Sequence, residues 1–195
     1  MNPIETLGLA LGAGFSSGLN LYATVATLGL LQRYGVLNLP SRLQVLSHPW
    51  VLGIAIALYL VEFLADKIPY FDTIWDAIHT FIRPPAAALL TYAAAGAAPA
   101  EWRWGAALLA GGVALTSHGT KASARAAVNT SPEPLSNWIL SFGEDVLAVW
   151  LTWMATAHPL ATTIIVVALV ATSAVLLYYL FRFARRAFRQ LFSAS

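Results

Sequence analysis

The chain has no cysteine and few charged residues. Of its 195 residues, 10% are Asp, Glu, Lys or Arg. Without cysteine there are no disulfides, thiolate metal sites or thiol catalysis. The scarcity of charge excludes an ordinary water-soluble surface, because soluble domains carry about 25% charged residues. The net charge of +2 is too small to indicate a nucleic-acid partner.

Long apolar runs take the place of charge. Hydrophobic residues make up 58% of the chain, and a membrane helix needs about 20 consecutive, predominantly apolar residues. The pattern predicts an all-α, polytopic transmembrane helical bundle of about six spans, forming one integral membrane domain over residues 1–195. The expected spans are Leu7–Leu31, Trp50–Ala65, Pro84–Ala98, Trp104–Val128, Trp138–Ala157 and Leu160–Phe181. The third is short, so it either spans or is re-entrant and surrounded by protein.

The segment Tyr70–Arg83 is too polar to be a span. Its apolar residues recur at helical spacing, and Asp72, Asp76, His79 and Arg83 fall on the opposite face. This pattern is typical of an amphipathic helix at the level of the lipid headgroups. The alternative is a helix that packs on its own bundle and contacts lipid only at its edge.

Basic residues predict the orientation. With six spans, eight of the 11 lysines and arginines lie on one side and three on the other (8 + 3 = 11). Cytoplasmic loops carry the excess of such residues. We therefore expect a multi-pass protein of the cell inner membrane with both termini in the cytoplasm. Residues 182–195 would form a basic cytoplasmic tail.

Two runs align when the sequence is shifted along itself. Leu7–Thr27 lies over Leu108–Val128, and Gly18 meets Gly119. Each run would open a unit of three spans, and the odd number inverts the second unit, as in many secondary transporters. The two units are residues 1–98 and 99–181. The alternative is that the match reflects only the abundance of Gly, Ala and Ser.

Glycines in the first run have helix-packing spacing. They form two Gly-x-x-x-Gly pairs, which typically let helices approach closely. A helix break at Ser17–Gly18 or His118–Gly119, exposing backbone to a substrate or ion, is the alternative. No Gly-Lys-Ser/Thr follows, so a nucleotide-binding loop is not expected. The four glycines are Gly8, Gly12, Gly14 and Gly18.

Ionisable residues lie inside the apolar runs. A lysine at the centre of a membrane helix costs about 2.5 to 3.5 kcal/mol, so it should face a partner or water. The candidate substrate- or ion-binding residues are Ser17, Asn20, Glu62, Asp66, His118, Lys121, Arg125, Glu144 and Asp145. They either line a polar cavity or form fixed ion pairs that hold the bundle together. A third interpretation ends the fourth span near Gly119 and leaves Lys121 and Arg125 in a cytoplasmic loop.

Enzyme motifs are missing. The four histidines are scattered, with no His-Glu-x-x-His pair, and no nucleophile-elbow sequence surrounds Ser17 or Ser117. We therefore expect no catalytic residues, no cofactor and no metal site.

Several short patches carry a family resemblance. The patches are Ser17–Asn20, Glu62–Pro69 with Asp72, Ile82–Pro84, Lys121, Arg125, Asn129, Pro132, Ser136–Asn137 and Ser141–Asp145. Together they span almost the whole chain. On them the chain resembles the bacterial membrane proteins of the domain of unknown function 4126 family. The resemblance implies a small multi-span membrane protein and assigns no activity.

These features favour a small transporter or channel with a polar intramembrane site. Its expected partners are the lipid bilayer and a small solute or ion, and a chain this short would form a homodimer if one copy cannot enclose a path. The alternative is a non-catalytic membrane scaffold or assembly factor that binds lipid or a partner protein through Tyr70–Arg83. An intramembrane enzyme acting on lipid is a third hypothesis.

Overall fold

The structure is a computed structural model that describes residues 3–68, 70–96, 98–129 and 134–192. Within these ranges the chain forms α-helices and one 3-10 helix, with no strand. The all-α prediction is confirmed for this part of the chain. The elements are α1 (Pro3–Arg33), a 3-10 helix (Ser41–Ser47), α2 (Pro49–Ala65), α3 (Phe71–His79), α4 (Arg83–Ala94), α5 (Ala100–Val128), α6 (Pro134–Ala157) and α7 (Pro159–Phe192).

Five of the six apolar runs lie in long helices, and one does not. The run Pro84–Ala98 forms α4, which ends at Ala94 after 12 residues. With a rise of about 1.5 Å per residue, α4 is roughly 18 Å long, against an apolar membrane thickness of about 30 Å. This helix is therefore too short to cross a membrane alone. Its prolines occupy the first turn, where no backbone N–H is needed.

Helix α1 lies at the centre and packs against α4, α5, α6 and α7. Its glycines make this possible. A Cβ at Gly14 would lie 2.9 Å from the Ala110 carbonyl oxygen, and one at Gly12 would lie 2.5 Å from the Ala155 Cβ. The other two predicted glycines are equally crowded. The close-packing interpretation is confirmed.

The surface is apolar, whereas much of the interior is polar. Trp50, Phe81 and Leu108 are more than 70% exposed, while Arg83 and Arg125 are completely buried. Soluble proteins show the reverse: Arg is almost never fully buried unless it is paired, and contiguous exposed apolar patches are small. The outer faces of these helices therefore suit an apolar surrounding.

One helix in the described ranges is long and apolar enough to cross a membrane. It is the stretch Pro159–Phe183 of α7. A second candidate arises if the 3-10 helix and α2, which are bent by 64° relative to each other, form one broken span.

Candidate functional site

Helix α1 is interrupted at Asn20. The backbone there has φ −151° and ψ 101°, which are extended rather than helical values. The Asn20 Oδ1 accepts a hydrogen bond from the Ala23 N–H at 2.9 Å, and its carbonyl oxygen accepts one from the Thr24 hydroxyl at 2.9 Å. A side-chain oxygen bonded to the N–H three residues later is an N-cap. Asn20 thus starts a second helical segment inside α1.

Side chains of other helices reach the backbone beside this break. The Gly18 carbonyl oxygen accepts from Arg83 Nη1 at 2.9 Å, and the Leu19 carbonyl oxygen accepts from Lys121 Nζ at 2.9 Å. A buried carbonyl needs such a donor where water is excluded. A break is therefore present in the first run, at Asn20 rather than at the predicted Ser17–Gly18, and side chains of this chain occupy its carbonyls. In the fourth run it is absent, because α5 passes through Gly119 as a regular helix.

Three buried cations form the centre of the site. Lys121 Nζ lies 3.2 Å from Glu62 Oε1 and 3.0 Å from Asp66 Oδ2. Arg83 Nη2 reaches the same Glu62 oxygen at 2.7 Å, and Arg125 Nη2 reaches the same Asp66 oxygen at 2.9 Å. The interpretation that places Lys121 and Arg125 in a loop is wrong, because α5 continues beyond both and each is buried.

Helix α6 adds a carboxylate at the edge of the site. Glu144 Oε2 forms an ion pair with Arg125 Nη2 and lies 3.5 Å from Lys121 Nζ. Its side chain is 11% exposed, whereas the two bases are fully covered. The bases of α5 are thus shared between α2 and α6, and the ion pairs join three helices.

Helix α3 turns its polar face towards the bundle. Asp72, Asp76 and His79 are buried, while Ile74 on the opposite face is 60% exposed. The predicted amphipathic helix is confirmed over Phe71–His79, with Arg83 in α4 instead, and its polar face packs on the bundle, in agreement with the second interpretation. The reason is that partners lie inside: the Asp72 carboxylate accepts from Asn129 Nδ2 at 2.9 and 3.0 Å.

Asp76 has little electrostatic compensation. Neither carboxylate oxygen has a hydrogen-bond donor among the described residues, and Arg83 Nη2 lies 3.5 Å from Oδ1. Burial raises the pKa of Asp76 to about 6, although the positive charges of Lys121 and Arg83 act in the opposite direction. Asp76 therefore takes up a proton at a pH only slightly below neutral.

His118 links α3, α4 and α5. Arg83 Nη1 donates to His118 Nδ1 at 2.8 Å, so the imidazole proton lies on Nε2. This Nε2 is 3.0 Å from the Asp76 carbonyl oxygen and 2.9 Å from Thr80 Oγ1. His118 is thus a neutral bridge whose tautomer is fixed by an arginine.

Asp145 is separated from the cations. Asn20 Nδ2 donates to its Oδ1 at 2.8 Å, and the Tyr59 hydroxyl lies 3.4 Å from its Oδ2. The side chain is 5% exposed. No ion pair to it forms within the described ranges. A buried carboxylate without a countercharge is costly, so this group is suited to binding a proton or a cation.

Ser17 lies beside the site rather than in it. It is completely buried, and its hydroxyl has no hydrogen-bond partner in the described part of the chain. The structure brings the other eight predicted residues together around the break in α1. It also adds Asp72, Asp76 and Arg83, which the sequence placed on the polar face of Tyr70–Arg83 and which were not among the candidate site residues. Their signal was the shared helical face, together with the alternative in which this segment packs on its own bundle.

Negative charge exceeds positive charge in this buried charged cluster. Six carboxylates face three cations, a formal charge of −3 (3 − 6). No group of three or more metal-ligating side chains with suitable geometry occurs among the described residues. The cluster consists of Glu62, Asp66, Asp72, Asp76, Arg83, Lys121, Arg125, Glu144 and Asp145, with Asn20 and His118 bonded to it.

Comparison with known proteins gives the family. The family model described as a domain of unknown function (DUF4126) matches residues 7–179. The chain belongs to this family, as the resemblance in the polar patches indicated. No curated protein and no solved structure matches it.

Proposed function

We propose that this member of the DUF4126 family is a small membrane transporter or channel whose buried charged cluster binds a proton or a small cation. The excess of three carboxylates over cations beside a broken helix carries this proposal (6 − 3). Uncompensated negative charge is costly in a low-dielectric interior, and binding a proton or cation relieves that cost.

The apolar exterior supports the membrane part of the proposal. Ionisable residues at membrane depth face the bundle interior and pair with one another, as the bases of α5 do here. Short or broken helices at that depth are tolerated where protein surrounds them, and α4 packs against both α1 and α5. The proposed location is the inner membrane, with α1, α2, α5, α6 and α7 as spans. Six spans, with both termini in the cytoplasm, require that α4 and the residues around it together make a sixth crossing.

The inverted repeat is also retained as a hypothesis. Helices α1 and α5, which would open the two units, pack against each other. Gly18 is crowded by Ser117 and Ala114, whereas its counterpart Gly119 faces open space. Any two-fold relation therefore does not extend to the packing at these positions.

Protonation supplies a mechanism for opening the cluster. A proton on Asp76, whose pKa burial raises to about 6, cancels its attraction to Arg83 and weakens the link between α3 and α4. Because α1 is broken at Asn20, its second segment can shift without bending a continuous helix. Such discontinuous helices border the binding sites of many transporters. A homodimer would supply the remaining wall of a path.

Flux measurements test the proposal. Purified protein in liposomes, with an imposed potential and an internal pH dye, is expected to carry protons or small cations. Glu62→Gln should lower the flux at least tenfold. Glu101→Gln, which removes an exposed carboxylate at the start of α5, should leave it unchanged. Absence of flux, or equal flux in both variants, would overturn transport.

One observation favours the scaffold alternative. Each of the three cations already lies within 3.2 Å of a carboxylate oxygen, an arrangement that is also typical of static pairs. Under that alternative Glu62→Gln lowers thermal stability, while wild-type liposomes show no flux under any gradient.

A further inference from the structure

A lateral cleft opens between α2 and α6 beside the charged cluster. Its volume is about 460 Å³, within the range of about 300 to 1,000 Å³ typical of small-molecule sites. Aromatic side chains from both helices form its walls: Tyr59, Phe142, Trp150 and Trp153. The cleft contains one ionisable carboxyl group, that of Asp145.

Asp145 gives this apolar cleft a negative charge. Its Oδ1 is held by Asn20 Nδ2 at 2.8 Å, which fixes the carboxylate next to the break in α1. Its other oxygen has only the Tyr59 hydroxyl, at 3.4 Å. Both hydrogen-bond partners are neutral, and among the described residues no basic group lies within ion-pair distance of the carboxylate. A lipid chain or a second apolar helix would fill the walls and still leave that charge unpaired.

The protein already holds one cation against the same wall. Lys67 Nζ lies 3.0 Å from the centroid of the Phe63 ring and 5.4 Å from that of Phe142. It also donates to the Phe63 carbonyl oxygen at 2.9 Å and to Ser141 Oγ at 3.3 Å. Aromatic faces attract cations in this geometry. Phe142 therefore contacts Lys67 on one side and lines the cleft on the other.

We propose that the cleft binds a lipophilic organic monocation, a quaternary ammonium, phosphonium or protonated tertiary amine, with its charge on Asp145 and its apolar groups against Tyr59, Trp150 and Trp153. The assignment rests on the proposed function in one respect: it adds an organic cation, bound at Asp145, to the proton or small cation proposed for the charged cluster. Through Asn20, occupation of the cleft is linked directly to the break in α1.

Binding of tetraphenylphosphonium to the purified full chain in detergent tests the assignment. Tetraphenylborate is a matched control, since it has the same shape and the opposite charge. The cation is expected to bind saturably and the anion at least tenfold more weakly. Asp145→Asn should weaken cation binding at least tenfold, Asp145→Glu should retain it, and Glu101→Gln should leave it unchanged.

Trp150→Leu is the second variant, and it carries the test if Asp145→Asn does not fold. It should weaken binding severalfold, because it removes an aromatic wall and leaves the carboxylate in place. Equal affinity for cation and anion, or wild-type affinity in the variants, overturns the assignment. A stable dimer whose interface covers the cleft and blocks the phosphonium also overturns it, with a second copy as the occupant.

The two proposals fail in different ways. If the phosphonium does not bind while flux sensitive to Glu62→Gln persists, the substrate class is wrong and transport stands. If it binds in an Asp145-dependent manner and liposomes show no flux, the site stands and transport is wrong.

Discussion

Replacing Lys121 by methionine tests whether the charged cluster holds the bundle together. Lys121 Nζ donates to the Leu19 carbonyl oxygen at 2.9 Å, to Asp66 Oδ2 at 3.0 Å and to Glu62 Oε1 at 3.2 Å. These contacts join α5 to both α1 and α2. Methionine is similar in length and has no charge, so Lys121→Met removes the contacts without opening a large cavity.

The expected loss can be bounded from the remaining contacts. Removing one partner of a buried ion pair costs about 3 to 5 kcal/mol, because the other partner stays buried. Here each acid keeps one base, since Glu62 retains Arg83 and Asp66 retains Arg125. We therefore expect the lower end, a decrease of about 3 kcal/mol in the free energy of unfolding.

Lys67→Met is the matched control. Lys67 is partly exposed, and its contacts are with aromatic rings, one carbonyl and one hydroxyl. A cation over an aromatic ring at such a site contributes about 0.5 to 1 kcal/mol. Unfolding in mixed micelles of increasing SDS content, followed by circular dichroism, measures both variants. An equal decrease in the free energy of unfolding for both variants would contradict the role of Lys121 in joining α5 to α1 and α2. A decrease below about 1 kcal/mol for Lys121→Met would contradict it as well.

Three further predictions concern proton binding, packing and the helix break. The folded state holds the Asp76 proton more tightly than the unfolded state does, since the pKa of about 6 exceeds the ordinary value of about 3.9. Its contribution to stability therefore rises as pH falls from about 6 to about 4, and the pH dependence of wild type minus Asp76→Asn measures it. Gly18→Ala should cost about 1 to 3 kcal/mol through overlap with Ser117, whereas Gly119→Ala, in open space, should be neutral or stabilising in the same titration. Asn20→Ala should cost about 2 to 4 kcal/mol by removing a cap and a bond to a carboxylate; Asn20→Ser, which keeps a capping oxygen, should recover about 1 kcal/mol in thermal denaturation.

Helix positions were predictable from apolar run length because that signal is local. Helix α2 begins at Pro49, one residue before the predicted start. The break in α1 is different, since the sequence favoured close packing there and offered a break only as the alternative. Both occur. The broken geometry depends on Arg83 and Lys121, which arrive from distant parts of the chain to satisfy the carbonyls.

The members of the charged cluster were predictable more readily than their arrangement. Charges inside apolar runs pointed to Glu62, Lys121 and Glu144 correctly. The polar face of α3 was also visible in the spacing, but periodicity does not say which face meets solvent. That choice depends on partners such as Asn129 and on the exclusion of water from the bundle. The sequence therefore left open whether Asp76 faces the headgroups or the bundle, and it is buried in the bundle.

The same distinction applies to hydropathy averaged along a helix, by which one helix in the described ranges is long and apolar enough to cross a membrane. Helix α5 carries Lys121 and Arg125, which lower its mean hydropathy, yet both are buried while Leu108 and Leu115 on its outer side are 73% and 51% exposed. Lipid contacts only the outer face of a helix, whereas mean hydropathy counts both faces. The stretch Pro159–Phe183 has one charged residue, Arg182, which is exposed, and it is apolar enough on average to cross a membrane. Ionisable groups within membrane helices are functional by default. The residues that lower the mean hydropathy of α5, Lys121 and Arg125, are therefore the ones that belong to the proposed site.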